Sequence, residues 1–192
     1  EFKSYKIDIT GLSGGHSGME IHLGKGNANK LMNRLLLTIS KKTKLSISTI
    51  NGGGLRNAIP RESFSVVNLS GNELEKLNKV LAELEVIFKA EYVTTDPDLE
   101  ISIREVKTSE FCMDQNFAFK LMRSIYASPN GIYRMSPDIK GLVQTSNNLA
   151  RVLVRNGEYE ILCLTRSSVE TEKIELANSL TACFELLDAT VT

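Results

Sequence analysis

The chain has 192 residues, 42% of them hydrophobic and 24% charged, enough to bury a core in one large domain or two small ones. Its 23 basic and 23 acidic side chains cancel, and no Lys/Arg cluster interleaved with aromatics stands out, which argues against a nucleic-acid partner. Apolar runs fall far short of the ~20 residues of a membrane span. Cys112, Cys163 and Cys183 form no CxxC pair or Cys/His cluster, so each is read as a packing residue in a reducing compartment, by default the cytoplasm.

In chain order, Tyr5–Thr10 alternates apolar and polar residues, the pattern of a half-buried strand. The stretch Gly11–Lys30 follows, with both histidines and six of the thirteen glycines, a shaped loop rather than a spacer. Asn27 or Asn29 can cap a helix carrying Leu31, Met32, Leu35, Leu36 and Ile39 on one face. Leu45–Ile50 reads as a second strand broken by Asn51-Gly-Gly-Gly54, and Phe64–Leu69 as a third. Leu74, Leu77, Leu81, Leu84 and Phe88 step by three and four along a second helix, and Leu99–Val106 alternates as a fourth strand.

Through residue 107 the order βαββαβ predicts an α+β, ferredoxin-like unit with two helices on one face of an antiparallel sheet. Residues 108–192 read as a partial repeat, αββα. A helix lies around Phe117–Ile125, strands at Leu149–Val154 and Tyr159–Thr165 join at Asn156-Gly157, and a helix spans Val169–Leu187. That helix's expected core face is Ile174, Ala177, Leu180, Cys183, Phe184 and Leu187. The repeat is expected to borrow Leu99–Val106 as its first strand and to extend the same, largely antiparallel sheet. The start, Glu1-Phe-Lys-Ser-Tyr5, has no initiator Met or signal-like region, and the chain stops as a helix gives way to β-prone residues. The expectation is a piece of a longer protein.

Polar side chains gather among glycines or at strand ends in three places. His16 stands between Gly15 and Ser17; Arg56-Asn57 follows the triple glycine and precedes Ile59-Pro60; Arg166 closes the apolar strand Tyr159–Thr165. Each has a plainer reading: a surface-turn histidine, an asparagine bonding its own backbone, a solvated strand-end charge. His22, alternating with Ile21 and Leu23, is read as structural. His16 and His22 lie six residues apart, too far for one helical face, and no HExxH, His-x-Asp or GxxxxGK[ST] occurs. The chain alone is expected to bind no metal and to perform no hydrolysis.

GLSGGHSGMEIHLGKGNANKL, GGGLRNAIPRE and MSPDIKGLVQTSNNLARV, in this order and spacing, closely resemble the aminoacyl-histidine (Xaa-His) dipeptidases of the zinc peptidase superfamily. The resemblance covers essentially the whole chain. It implies the lid, or dimerisation, domain of a cytosolic dipeptidase acting on Xaa-His dipeptides such as carnosine, with the catalytic domain and its two zinc ions outside this chain. By the same resemblance His16 donates to the substrate carbonyl oxygen, Asn57 hydrogen-bonds the substrate and Arg166 grips its C-terminal carboxylate. The family's Asp-x-Arg reads Leu164-Thr165-Arg166 here. Thr145, Ser146 and Asn148 lie in a matched motif without an assigned role. The implied partners are the catalytic domain, a dipeptide and a second copy of the chain, although a duplicated lid can also mimic a dimer within one chain. Two further readings stay open: a stand-alone ferredoxin-like module binding an amino acid through Arg166 and Asn57, and a pure dimerisation element.

Overall fold

The computed structural model describes residues 2–192. Strand β1 (Phe2–Thr10) turns Tyr5, Ile7 and Ile9 into the core and leads through the glycine loop to α1 (Ala28–Lys42). Asn27 caps α1, its side-chain oxygen accepting from the amides of Asn29 and Lys30, as an N-cap asparagine should. The chain continues through β3 (Leu45–Gly53), β5 (Ser63–Ser70), α2 (Leu74–Glu91) and β6 (Glu100–Val106), with a two-residue ribbon of β2 (Gly15–His16) and β4 (Ala58–Ile59) outside the main sheet. It ends with α3 (Gln115–Ala127), β7 (Gly131–Met135), β8 (Val143–Arg155), β9 (Glu158–Ser167) and α4 (Glu170–Glu185).

Among the described residues seven strands form one antiparallel sheet in the order β6-β1-β5-β3-β8-β7, with β9 on the other side of β8. The first four are in the order of the split βαβ unit. α1 packs between α2 and α3, and α4 packs on α3 and β9, so the helices line one face. A single apolar core runs under them, from Ile7, Leu35 and Phe88 in the first half to Leu121, Leu149 and Leu180 in the second.

Several expectations need correction. Leu99–Val106 is not lent to the second half, because β6 pairs with β1 at the opposite end of the sheet from β8. The second half instead has a strand of its own, β7, whose short, mostly exposed sequence lacks alternation. β3 continues through Asn51-Gly-Gly53, since pairing to both β5 and β8 overrides glycine's poor strand preference. On α4, Leu176 is buried and Ile174 is 51% exposed, because the stripe facing the sheet steps through 176, 180 and 184. Cys112 is exposed rather than packed, in the connection before α3; Cys163 and Cys183 are half-buried. His22 is exposed on a 3-10 turn, Ile21–Leu23, with Ile21 buried beside it.

β8 is where the halves join. On one side it pairs with β7 through residues 143–147 and with β3 through residues 151–154, and between those ladders the backbone would be left open. Side chains close it. The Leu149 amide donates to Asn130 Oδ1 (2.8 Å), and its carbonyl accepts from Asn27 Nδ2 (3.1 Å) and Asn29 Nδ2 (3.3 Å). Leu149 is fully buried, where an unmet backbone group costs about 1–3 kcal/mol.

Gly53 permits this junction. Its φ is 71°, and a Cβ there would lie 1.9 Å from the Ala150 carbonyl oxygen. Gly53→Ala is expected to cost at least about 2 kcal/mol in denaturant unfolding, from left-handed strain plus the displaced β8 backbone. Gly54→Ala, with open space around its Cβ position and no left-handed φ, is the matched control and should cost under about 1 kcal/mol.

Candidate functional site

The glycine loop is tied at both ends to one carboxylate. Asp96, 1% exposed after α2, accepts from the Ser13 amide through Oδ1 and from the Gly26 amide and Thr95 hydroxyl through Oδ2, each at 2.8 Å. Hydrogen bonds to a charged acceptor are worth about 1.5–3 kcal/mol each, so the loop is pinned. Gly11 enables the close approach: its φ is 77°, and a Cβ there would overlap the Asp98 carbonyl.

Inside the loop, His16 pairs with Ala58 in the β2–β4 ribbon, and the Ser17 amide donates to the Asn57 carbonyl (2.8 Å). Glu20 braces the turn, accepting from the His16 amide (2.6 Å) and from Lys25 Nζ (2.7 Å), which also donates to the Gly14 carbonyl. The ring of His16 is oriented by its own turn. Nδ1 accepts from the amides of Gly18 and Met19, both at 3.1 Å, so the neutral imidazole carries its proton on Nε2.

Arg166 arrives from the other half of the chain. It stands in β9 opposite Ser146, is exposed, and its side chain makes no hydrogen bond or ion pair among the described residues. Gly18 is the point where it meets His16. A Cβ on Gly18 would lie 3.1 Å from His16 Cε1 and 3.2 Å from Arg166 Nε, so the two heads flank that glycine. Gly18, Ser146, Arg166 and Ser168 line a cleft of about 240 Å³. Asn57 is exposed with its side chain uncommitted among the described residues, and its backbone joins Ser17 beside His16. The three residues singled out in the sequence therefore gather at one end of the sheet.

Behind Arg166, Glu172 accepts from the Thr145 hydroxyl (2.6 Å), the Gln144 amide (2.7 Å) and Arg134. Thr145, without a role in the sequence, thus anchors α4 to β8. Asn148, 1% exposed, donates from Nδ2 to the carbonyls of Ala58 (2.8 Å) and Arg56 (3.2 Å), holding the turn that bears Asn57. Ser146 has no role assigned from the sequence, and Gly18, Glu20 and Asp96 are not singled out in it. The available signals were the polar run Gln144–Asn148 within a strand and the Asp96-Pro-Asp98 turn.

Among the described residues no group of three or more His, Cys, Asp or Glu could hold a metal ion. The donor set around His16 fits none: its Nδ1 is taken by backbone amides, and the adjacent carboxylate, Glu20, is taken by Lys25 and the His16 amide.

Titration follows from the same contacts. Lys25 and the His16 amide hold the Glu20 carboxyl below its ordinary value, and Thr145 and Gln144 do the same for Glu172. A carboxyl depressed by folding adds stability above its unfolded pKa and loses it as pH falls through the folded one. Thermal midpoints should therefore be level from pH 7 to about 5 and fall below about pH 4, the ordinary carboxylate range. Glu20→Gln and Glu172→Gln are each expected to flatten that fall, checked by calorimetry across pH. Burial pushes the Cys163 thiol up to about 11, so at pH 8 thiol labelling should reach exposed Cys112 well before Cys163.

Residues 7–96 match the family described as peptidase dimerisation domain. The chain is 34% identical over 188 residues to the cytosol non-specific dipeptidase of Escherichia coli (strain K12), covering 98% of this chain and 39% of that protein. It superposes on the crystal structure of aminoacylhistidine dipeptidase from Vibrio alginolyticus with a TM-score of 0.95 and 33% identity, over 98% of this chain and 39% of that one. The chain thus spans about two-fifths of the length of these relatives. No helix among the described residues is long and apolar enough to cross a membrane. Residues 7–96 thus match a peptidase dimerisation domain, and nearly the whole chain is similar in sequence and topology to about two-fifths of these dipeptidases.

Proposed function

We propose that this chain is the substrate-completing lid of a dipeptidase, supplying binding and transition-state groups to a hydrolytic centre carried outside it. The observation that carries this reading is the pairing of two uncommitted heads around Gly18: the Nε2–H of His16 and the guanidinium of Arg166, beside a cleft of about 240 Å³. A planar, permanently charged fork suits a free C-terminal carboxylate. A neutral imidazole N–H held by its own turn suits a peptide carbonyl oxygen whose negative charge grows during attack.

In this reading Arg166 takes the carboxylate and so measures substrate length. His16 donates to the scissile carbonyl oxygen, and the Asn57 amide hydrogen-bonds the peptide. The three groups stay fixed while closure excludes water, so the donor strengthens as charge develops. Activation of the attacking water belongs to the missing part, where the zinc ions of such an enzyme would be held. Similarity to a cytosol non-specific dipeptidase and to an aminoacylhistidine dipeptidase supports dipeptides, Xaa-His among them, and a cytosolic setting. The family's description supports pairing with a second copy.

The test is hydrolysis of carnosine and other dipeptides by the full-length enzyme, with metal content measured for each variant. His16→Ala is expected to lower kcat about 10²–10³-fold. Arg166→Ala should raise KM about 10- to 100-fold, the worth of a charge-assisted bond. Asn57→Ala should weaken both parameters more mildly. Gly18→Ala pushes the two heads apart and should lower kcat/KM while barely changing stability. Near-normal turnover in His16→Ala and Arg166→Ala with metal retained would overturn the proposal, as would carnosine hydrolysis by the metal-free 192-residue chain.

A further inference from the structure

We infer that Asn148 is a positioning residue that sets His16 and Asn57 against Arg166; the inference rests on the functional reading above. β8 holds both sides of the site. At Ser146 it pairs with Arg166, and two residues on, at Asn148, it grips the turn that bears Asn57. That turn is bonded in its own right to the histidine loop, through Asn57 C=O to the Ser17 amide and through the Ala58–His16 pair. The distance between the arginine and the histidine is therefore set by one strand and one buried amide.

The chemistry of that amide is specific. Two carbonyl oxygens, of Arg56 and Ala58, face its Nδ2, which answers both with one NH2. Its Oδ1 accepts from Asn27 Nδ2 (3.3 Å), and Asn27 is also the N-cap of α1. The position thus needs two donors and one acceptor in a side chain of this size. An aspartate there would aim oxygen at two carbonyls, and an alanine would leave both buried edges unmet. Asn130, in the turn before β7, closes the β8 ladder at Leu149, and Asn147 of β8 donates to the Pro129 carbonyl, whereas Asn148 alone among the described asparagines reaches out to the Asn57 turn.

Two measurements test this. In the full-length enzyme Asn148→Asp is expected to lower kcat about 10- to 100-fold, the cost of displacing a reacting group by about 1 Å, with a smaller change in KM. In the 192-residue chain with His22→Gln, so that His16 is the one imidazole, two-bond 1H–15N correlation should show the Nε2–H tautomer. Adding Asn148→Asp should shift that pattern toward averaging between tautomers. Asn27→Ser keeps the helix cap but removes the donor to Asn148, and should give the same changes at smaller amplitude, deciding the matter alone if Asp at 148 prevents folding. Unmoved kcat, KM and imidazole shifts, with only a lower melting temperature, would overturn the inference and make Asn148 structural. Full turnover in His16→Ala would instead remove the functional reading, independently of what the spectra show.

Discussion

The constraint on which the molecule depends is backbone satisfaction at Leu149. A strand that leaves one partner and takes up another on the same side must pass through residues paired to neither. In a fully buried strand those N–H and C=O groups have no water to turn to. Here side-chain amides from α1 and from the turn before β7 supply the missing partners. This explains the asparagines at 27, 29 and 130, positions where a core would otherwise favour apolar residues. It also explains why α1 begins where it does, since the residue that caps the helix is the one that reaches β8. Lys30 continues the seam, donating to the carbonyls of Ile125, Tyr126 and Ser128 at the end of α3. The halves are joined by an apolar core and by a polar seam that admits one register.

The site inherits its order from this seam. A loop with six glycines would lose much of its stability to chain entropy if left free. It is held instead by Asp96 at its two ends, by Glu20 and Lys25 in the middle, and by the Asn57 turn across the ribbon. Two neighbouring arginines are matched, Arg134 to Glu172 and Arg151 to Glu160. The Arg166 side chain is left uncommitted among the described residues, so no ion pair would have to be broken for an anion to approach it.

Much of this was legible in the sequence, and the exceptions have physical causes. The 3.6-residue stripes of α1 and α2 and the alternation of β1 and β6 report burial directly, so their positions could be read. The Asn156-Gly157 turn announced the β8–β9 hairpin, and Asn156 indeed adopts φ 56°. The first half of β8, Gln144–Asn148, could not be read as a strand, because its polar residues are buried by partners distant in the chain. β7 was invisible for a related reason: its pairing to β8 holds it, with four of its five residues exposed. His16, Asn57 and Arg166 were legible as polar residues in exposed, glycine-rich or strand-end settings. Asn148 and Gly18 were not, since their importance lies in what they touch across the sheet.

The closure of β3 by β8 has a consequence for mass action. His16 and Asn57 come from the first half and Arg166 from the second, and the strands that bring them together belong to one chain. Their grouping is thus a unimolecular event, completed by folding and indifferent to protein concentration. A recognition surface assembled from two separate chains would come apart on dilution at a point set by its dissociation constant. This grouping of side chains persists at any dilution at which the chain remains folded.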